Sequence, residues 1–283
     1  MNNLYVSTTF IKDNQKIKIA LDILKSASIK NVELGSNHIY ESNYDYIKKY
    51  NFNFLVHNYF PIPKENFVIN IASFDKKIRE KSLNQIKKSI NFYKKIGAKI
   101  YTFHPGFIVD PIKANFSEKN YDFIWPNRKS KKNYNLAFKQ MMISLKKIVN
   151  FAKKKKVNIA IETEGSYRKK NFLLLQRPTE YKKLFKFFTP DDLGINLNIG
   201  HLNLASKAFN FSKEKFVKML KPYIVAFELS HNNGFEDQHL PLQKGKWYWS
   251  VINDPDFSKV YKILEFRNTS IKNIKNVLKL LNR

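Results

Sequence analysis

The run Val157-Asn158-Ile159-Ala160-Ile161-Glu162-Thr163 sets the reading of the whole chain. It is short, apolar and β-rich, it closes on a carboxylate, and it follows Leu136–Lys155, a lysine-rich amphipathic segment of helical length. Helix followed by strand is one step of a parallel βαβ unit. The same step recurs outward in both directions. Strands are expected at Leu4–Thr9, Asn31–Leu34, Phe52–His57, Lys99–His104, Val157–Thr163, Leu193–Leu197, Ile224–Leu229 and Val260–Phe266. Helical patterns fall at Gln15–Ala27, Lys76–Ile96, Leu136–Lys155, Thr179–Phe188, Lys213–Lys221 and Ile271–Leu281. In Lys76–Ile96, residues Ile78, Leu83, Ile86, Ile90, Phe92, Tyr93 and Ile96 form an apolar stripe of roughly 3.6-residue period. Eight such units within 283 residues predict one closed (β/α)8 TIM barrel over residues 1–283, with no second domain.

Composition narrows the chemistry. The chain has no cysteine, which excludes disulfides, thiolate catalysis and cysteine metal sites. No apolar stretch approaches the ~18 residues of a spanning helix, and the first residues lack a signal-peptide pattern. A cytoplasmic location, without membrane partners, is therefore expected. The formal net charge of +28 raises the question of nucleic acid. Only six arginines contribute to the 51 basic residues, and bidentate phosphate and base contacts favour arginine. The runs Lys153-Lys154-Lys155-Lys156 and Lys129-Ser130-Lys131-Lys132 read as solvated charge.

Five of the six histidines sit at or just past an expected strand end: His57, His104, His201, His231 and His239. Glu162 and Glu265 hold the same kind of position. A barrel gathers all these ends into one bowl, so residues far apart in sequence become neighbours. Imidazoles and carboxylates without thiols suit Zn²⁺, Mn²⁺, Fe²⁺ or Mg²⁺. Two long segments follow strands and so belong at that face. One runs from Pro105 to about Lys132, with Phe123, Trp125 and Arg128; the other runs from Asn232 to about Ser258, with Asp237, His239, Lys244, Trp247 and Trp249. The seventh helix is expected to be short or missing, because Asn253-Asp254-Pro255 interrupts it.

The set resembles the xylose isomerase-like TIM-barrel superfamily, which includes sugar isomerases and epimerases and the endonuclease IV family. The resemblance rests on His57-Asn58-Tyr59, Val68–Ser73, Phe103-His104-Pro105-Gly106, Ile161-Glu162-Thr163, Asn198-x-x-His201, His231, Asp237-x-His239 and Glu265. It implies that Glu162, Asn198, His231 and Glu265 hold the metal shared by the sugar enzymes. His57, His104, His201, Asp237 and His239 complete the fuller set of the endonuclease IV-like barrels. Asn198 stands where the family pattern has Asp, and an amide oxygen brings no charge to a metal.

Three functions remain open. In the first, a divalent metal and the carboxylates Glu162 and Glu265 isomerise or epimerise a sugar or sugar phosphate by proton transfer through an enediolate. His201, Glu33, Tyr59, Lys244 and Arg267 are then the candidate substrate contacts. In the second, clustered metals cleave DNA at abasic sites, with nucleic acid as partner. In the third, the barrel binds a sugar without turnover, and Trp247, Tyr248 and Trp249 form a platform or merely pack. A homo-oligomer is compatible with all three.

Overall fold

The computed structural model describes residues 3–117, 120–126, 134–169 and 171–281; Arg128 and the Lys129–Lys132 run lie outside them. In chain order the elements are β1 (Leu4–Ser7), α1 (Ile17–Ser26), β2 (Asn31–Leu34), β3 (Asn53–His57), α2 (Lys76–Ile96) and β4 (Tyr101–Phe103). A hairpin follows, β5 (Lys113–Ser117) with β6 (Asn120–Ile124), then α3 (Tyr134–Lys155), β7 (Ile159–Glu162), α4 (Pro178–Leu184) and β8 (Gly194–Asn198). The chain continues through α5 (Ile199–Phe209), α6 (Lys213–Leu220), β9 (Ile224–Leu229), α7 (Tyr248–Ile252), β10 (Tyr261–Leu264) and α8 (Ile271–Leu281). The eight expected strands all form, most of them trimmed at the ends. They close in the order β1-β2-β3-β4-β7-β8-β9-β10 and back to β1. Every neighbouring pair is parallel.

Local chemistry fixes the helix ends. Asp75 caps α2, its side chain accepting from the N–H groups of Lys77 at 2.7 Å and Ile78 at 3.3 Å, and Gly97 ends the helix at φ 66°. Differences from expectation have equally local causes. Between β2 and β3 the connection contains a 3-10 turn, Asp45–Tyr50, in place of an α-helix. Helix α5 starts directly on the last residue of β8, because the Asn198 side chain accepts from His201 N and caps it. Helix α7 is five residues long and ends just ahead of Pro255, as the interrupting sequence predicts.

The barrel interior is layered. Tyr5, Leu55, Ile100, Ala160, Ala226 and Ile263 are buried together as an apolar floor. Side chains alternate along a strand, so the residues two positions onward point inward one layer higher. Those residues are Ser7, His57, Thr102, Glu162, Glu228 and Glu265, all buried and all polar. A larger core fills the space between the strands and the helices. Lys153, Lys154, Lys155 and Lys156 at the end of α3 are exposed, as solvated charge should be. Among the described residues, no helix is long and apolar enough to cross a membrane.

Candidate functional site

Above the polar layer lies a cavity of about 190 Å³ at the C-terminal mouth of the barrel. One wall is a chain of alternating imidazoles and carboxylates. His104 Nε2 lies 3.5 Å from Glu162 Oε2, and Glu162 Oε1 lies 3.2 Å from His201 Nδ1. His201 Nε2 is 3.4 Å from Asp237 Oδ2, which is 3.0 Å from His239 Nε2. His239 Nδ1 is 3.1 Å from Glu265 Oε2, and Arg267 Nη2 is 3.6 Å from Glu265 Oε1. Arg267 in turn reaches Asp13 at 3.7 Å. All of these residues except Asp13 line the cavity. Aromatic rings also line the cavity: Phe107, Phe123 and Trp125, with Trp125 stacked on Phe172 at 4.8 Å.

Backbone devices hold this wall in place. Gly106 sits at φ 90°, where an added Cβ would fall 2.5 Å from Asn70 Oδ1. That oxygen accepts from Ala72 N and Phe107 N, while Asn70 Nδ2 donates to Asp110 at 2.8 Å. The Val68–Ser73 and His104-Pro105-Gly106 motifs are thus one clamp seating the His104 strand end. Gly165 lets the segment after β7 cross close to His201, since a Cβ there would lie 1.9 Å from the His201 carbonyl oxygen.

Burial and neighbours divide the ionisable groups. Burial alone would lower His104, but Glu162 and Glu164 push it up to about 9. His239 rises to about 10 in the same way, with Asp237 and Glu265 overcoming burial. His201 is also raised well above its ordinary value, by Asp237 and Glu162 against burial. Burial would raise Glu162, yet His104, His201 and His57 hold it well below the usual carboxylate range. Asp237 is lowered by His239 and His201 against the same opposition. Glu265 is lowered chiefly by His239. His57, by contrast, is pushed down to about 4 by burial. Glu33 rises to about 8 through burial and the nearby Glu265. Burial and Glu162 raise Glu228.

The donor set fits a divalent metal. His57, His104 and Glu162 can each direct one ligand atom within 4.8 Å of the others, and His201, Asp237 and His239 form a second such group. Among the described residues, Glu162 Oε2 is buried with no hydrogen-bond partner, and it faces the Nε2 atoms of His57 at 3.8 Å and His104 at 3.5 Å. A buried charged oxygen without a donor is costly, and a cation between these groups removes that cost. His104 Nδ1 is 2.8 Å from Glu164 Oε1 and His57 Nδ1 is 2.8 Å from Thr102 Oγ1, contacts that orient both rings.

Several sequence-based expectations are relocated. His57, His104, Glu162, His201, Asp237, His239, Glu265, Tyr59 and Arg267 come together around the cavity. His231 does not. Its backbone bridges Leu240, and its ring lies beside Tyr248, with Nδ1 at 3.5 Å from the phenol. Asn198 turns its oxygen to His201 N at 3.0 Å and its N–H groups to Glu162 at 3.0 Å and Glu228 at 2.9 Å. The amide therefore serves as helix cap and carboxylate donor, and coordination would cost that cap. Glu33 is fully buried in the layer beneath the cavity and does not border it. Lys244 is exposed outside the cavity, beside a turn at Gly245 with φ 72°. Trp247 and Tyr248 pack: Tyr248 is buried, and Lys213 lies over the Trp247 ring at 4.7 Å.

Sequence reasoning missed Glu228, Glu164 and Asn196. The signal was period two. Glu228 follows floor residue Ala226 by two positions, and Glu164 follows Glu162 by two. Asn196 Nδ2 donates to Glu228 Oε1 at 2.7 Å.

Known proteins agree with this architecture. An uncharacterised protein of Methanocaldococcus jannaschii is 28% identical over 96% of this chain and 94% of its own length. A solved D-tagatose 3-epimerase-like protein superposes with a TM-score of 0.73 at 19% identity, over 99% of this chain and 98% of its own. A D-psicose 3-epimerase solved in the presence of D-fructose gives 0.68 at 11% identity, over 98% and 97%. At those identities the two structures speak for the fold alone. The family model of the xylose isomerase-like TIM barrel matches residues 35–283, so the chain belongs to that family.

Proposed function

We propose that the protein is a divalent-metal-dependent isomerase or epimerase acting on a sugar or sugar phosphate. One observation carries the reading. Glu162 and Glu265 both border one small cavity, each held ionised by imidazoles, and Glu162 keeps an unpartnered oxygen facing two further imidazole nitrogens. His57, His104 and Glu162 would hold the metal, and when bound it would supply positive charge to the oxygens of an enediolate. An ionised carboxylate takes the proton from the carbon next to the substrate carbonyl, and the electron pair moves into the enediolate. A second group must then return a proton to the opposite face or to the neighbouring carbon. Glu162 and Glu265 are that pair. Glu162 takes the proton. Glu265 first receives one from the His239 imidazolium, 3.1 Å from its Oε2, and gives it to the carbon. The proton on Glu162 returns to His239 through His201 and Asp237, which resets the pair. Arg267 and Tyr59 border the same space and would orient substrate oxygens. The aromatic rings exclude water from the carbanionic stage. The substrate class is taken from the epimerase names that two structural neighbours carry.

The test is deuterium exchange. Metal-loaded protein in D2O with D-fructose, D-psicose or D-tagatose should place deuterium at the carbon beside the carbonyl, read by NMR, and EDTA should stop it. The second ligand group, His201-Asp237-His239, favours a competing reading as a phosphodiesterase on abasic DNA. Cleavage of abasic DNA without sugar exchange would transfer the assignment to that reading.

A further inference from the structure

Glu33 is the least explained polar residue of the barrel. It is fully buried, and apart from a loose contact with the Ser7 side chain neither of its carboxyl oxygens is satisfied among the described residues. It does not border the cavity, so substrate does not account for it. Leaving a carboxyl in that state is expensive unless something else meets it.

Two neighbours share the compartment. Glu33, His57 and Glu228 can each direct one ligand atom within 4.8 Å of the others, and all three are buried. Glu228, like Glu33, lies outside the cavity lining. Its two oxygens accept from Asn196 at 2.7 Å and Asn198 at 2.9 Å, while burial and the neighbouring carboxylate of Glu162 raise it, a charge conflict that a cation would relieve. His57 stands between the two compartments. Its Nε2 edge faces Glu162 at 3.8 Å, while its Nδ1 edge faces Glu228 at 3.4 Å, with the Thr102 hydroxyl at 2.8 Å. The imidazoles His104, His201 and His239 pair with Glu162, Glu164, Asp237 and Glu265 in the wall above. The lower compartment has one ring and two carboxyls.

We infer that Glu33, His57 and Glu228 form a second divalent-cation site in the polar layer beneath the cavity, distinct from the ion that Glu162 and His104 would hold, with the His57 ring bridging the two ions through its two nitrogens as an imidazolate. Two carboxylate oxygens and one imidazole nitrogen suit Zn²⁺ or Mn²⁺. Glu33 and Glu228 do not line the cavity, and only His57 reaches it, so the ion braces the polar layer from below without touching substrate. It sets the position of His57, and through it the ligand group above. The inference stands without the sugar reading.

Metal counting tests it. Protein stripped with EDTA, reloaded with Zn²⁺ alone and desalted is counted by mass spectrometry, with circular dichroism to confirm folding. Glu33→Gln should hold one ion fewer than wild type, His104→Ala should also hold one fewer, and the double variant should lose two. Should Glu33→Gln fail to fold, Glu228→Gln gives the same reading. If Glu33→Gln or Glu228→Gln matches the wild-type count, the inference is overturned, and Glu33 is then a protonated carboxyl packed against Glu228. It is equally overturned if the double variant loses only the ion that His104→Ala loses alone. The count is made without substrate, so failure of sugar exchange with the losses intact would sink the isomerase reading only.

Discussion

Two layers of the same barrel interior, one residue pair apart, obey opposite rules. The floor of Tyr5, Leu55, Ile100, Ala160, Ala226 and Ile263 is apolar and closed. The layer above it carries Glu33, His57, Thr102, Glu162, Glu228 and Glu265, buried to the same degree and far more costly to build. The floor is what stability alone would choose. The upper layer survives because its charges meet one another in the His104-to-Arg267 chain, and because a cation can meet what remains. Stability and function are thus separated by two positions on six of the eight strands.

The largest effect that should separate them is a floor cavity. Ile263→Ala removes buried methyl groups and should cost about 2–5 kcal/mol of unfolding free energy by urea titration. The surviving folded protein should still bind metal. Glu265→Gln is the mirror case, two residues on. Its rate of deuterium exchange should fall by about 10²–10⁴-fold, while the urea midpoint moves far less than for Ile263→Ala. Equal stability losses in both would erase the distinction between the layers.

A pH titration sharpens the comparison further. His104 is raised to about 9 and Glu33 to about 8, both above their unfolded values. Each contributes stability that is complete below its unfolded pKa and is lost as pH rises through the folded value. His239, raised to about 10, adds to them, so in EDTA the melting temperature should fall from about pH 4.5, where unfolded Glu33 ionises, to about pH 10. Added Zn²⁺ should restore it, because the metal takes the place of the protons. His104→Gln should flatten the fall, whereas the Ile263→Ala floor variant should keep its slope. The smallest effect belongs to Lys244→Ala. That exposed side chain lies off the cavity, so exchange and stability should stay at wild type, stability within about 0.5 kcal/mol.

Most of the barrel was legible because eight β-rich runs alternate with amphipathic segments, and tertiary structure did not override that period. The failures are local. The β5–β6 hairpin lay unseen inside a long loop. Helix α5 was masked because Asn198-Ile199-Gly200-His201 continues straight from a strand, and only the side-chain cap of Asn198 reveals the helix start. In the site, residues at strand ends were found because a barrel must gather them. Lying just past β9 puts His231 in the expected metal set; in the structure it bridges Leu240, while Glu228, three residues earlier, points inward in phase with Ala226. Glu33 lies on β2 as expected but does not line the cavity, since strand position alone does not say whether a side chain reaches it.

The most direct test of the metal centre is the metal content of purified wild type beside Glu162→Gln, which preserves the shape of the side chain while removing its charge. A divalent ion in the wild type that is absent from the folded variant is the expected result, since the unpartnered oxygen of Glu162 is where His57 and His104 converge. A wild type without metal, or a variant that keeps the full wild-type count, would contradict it.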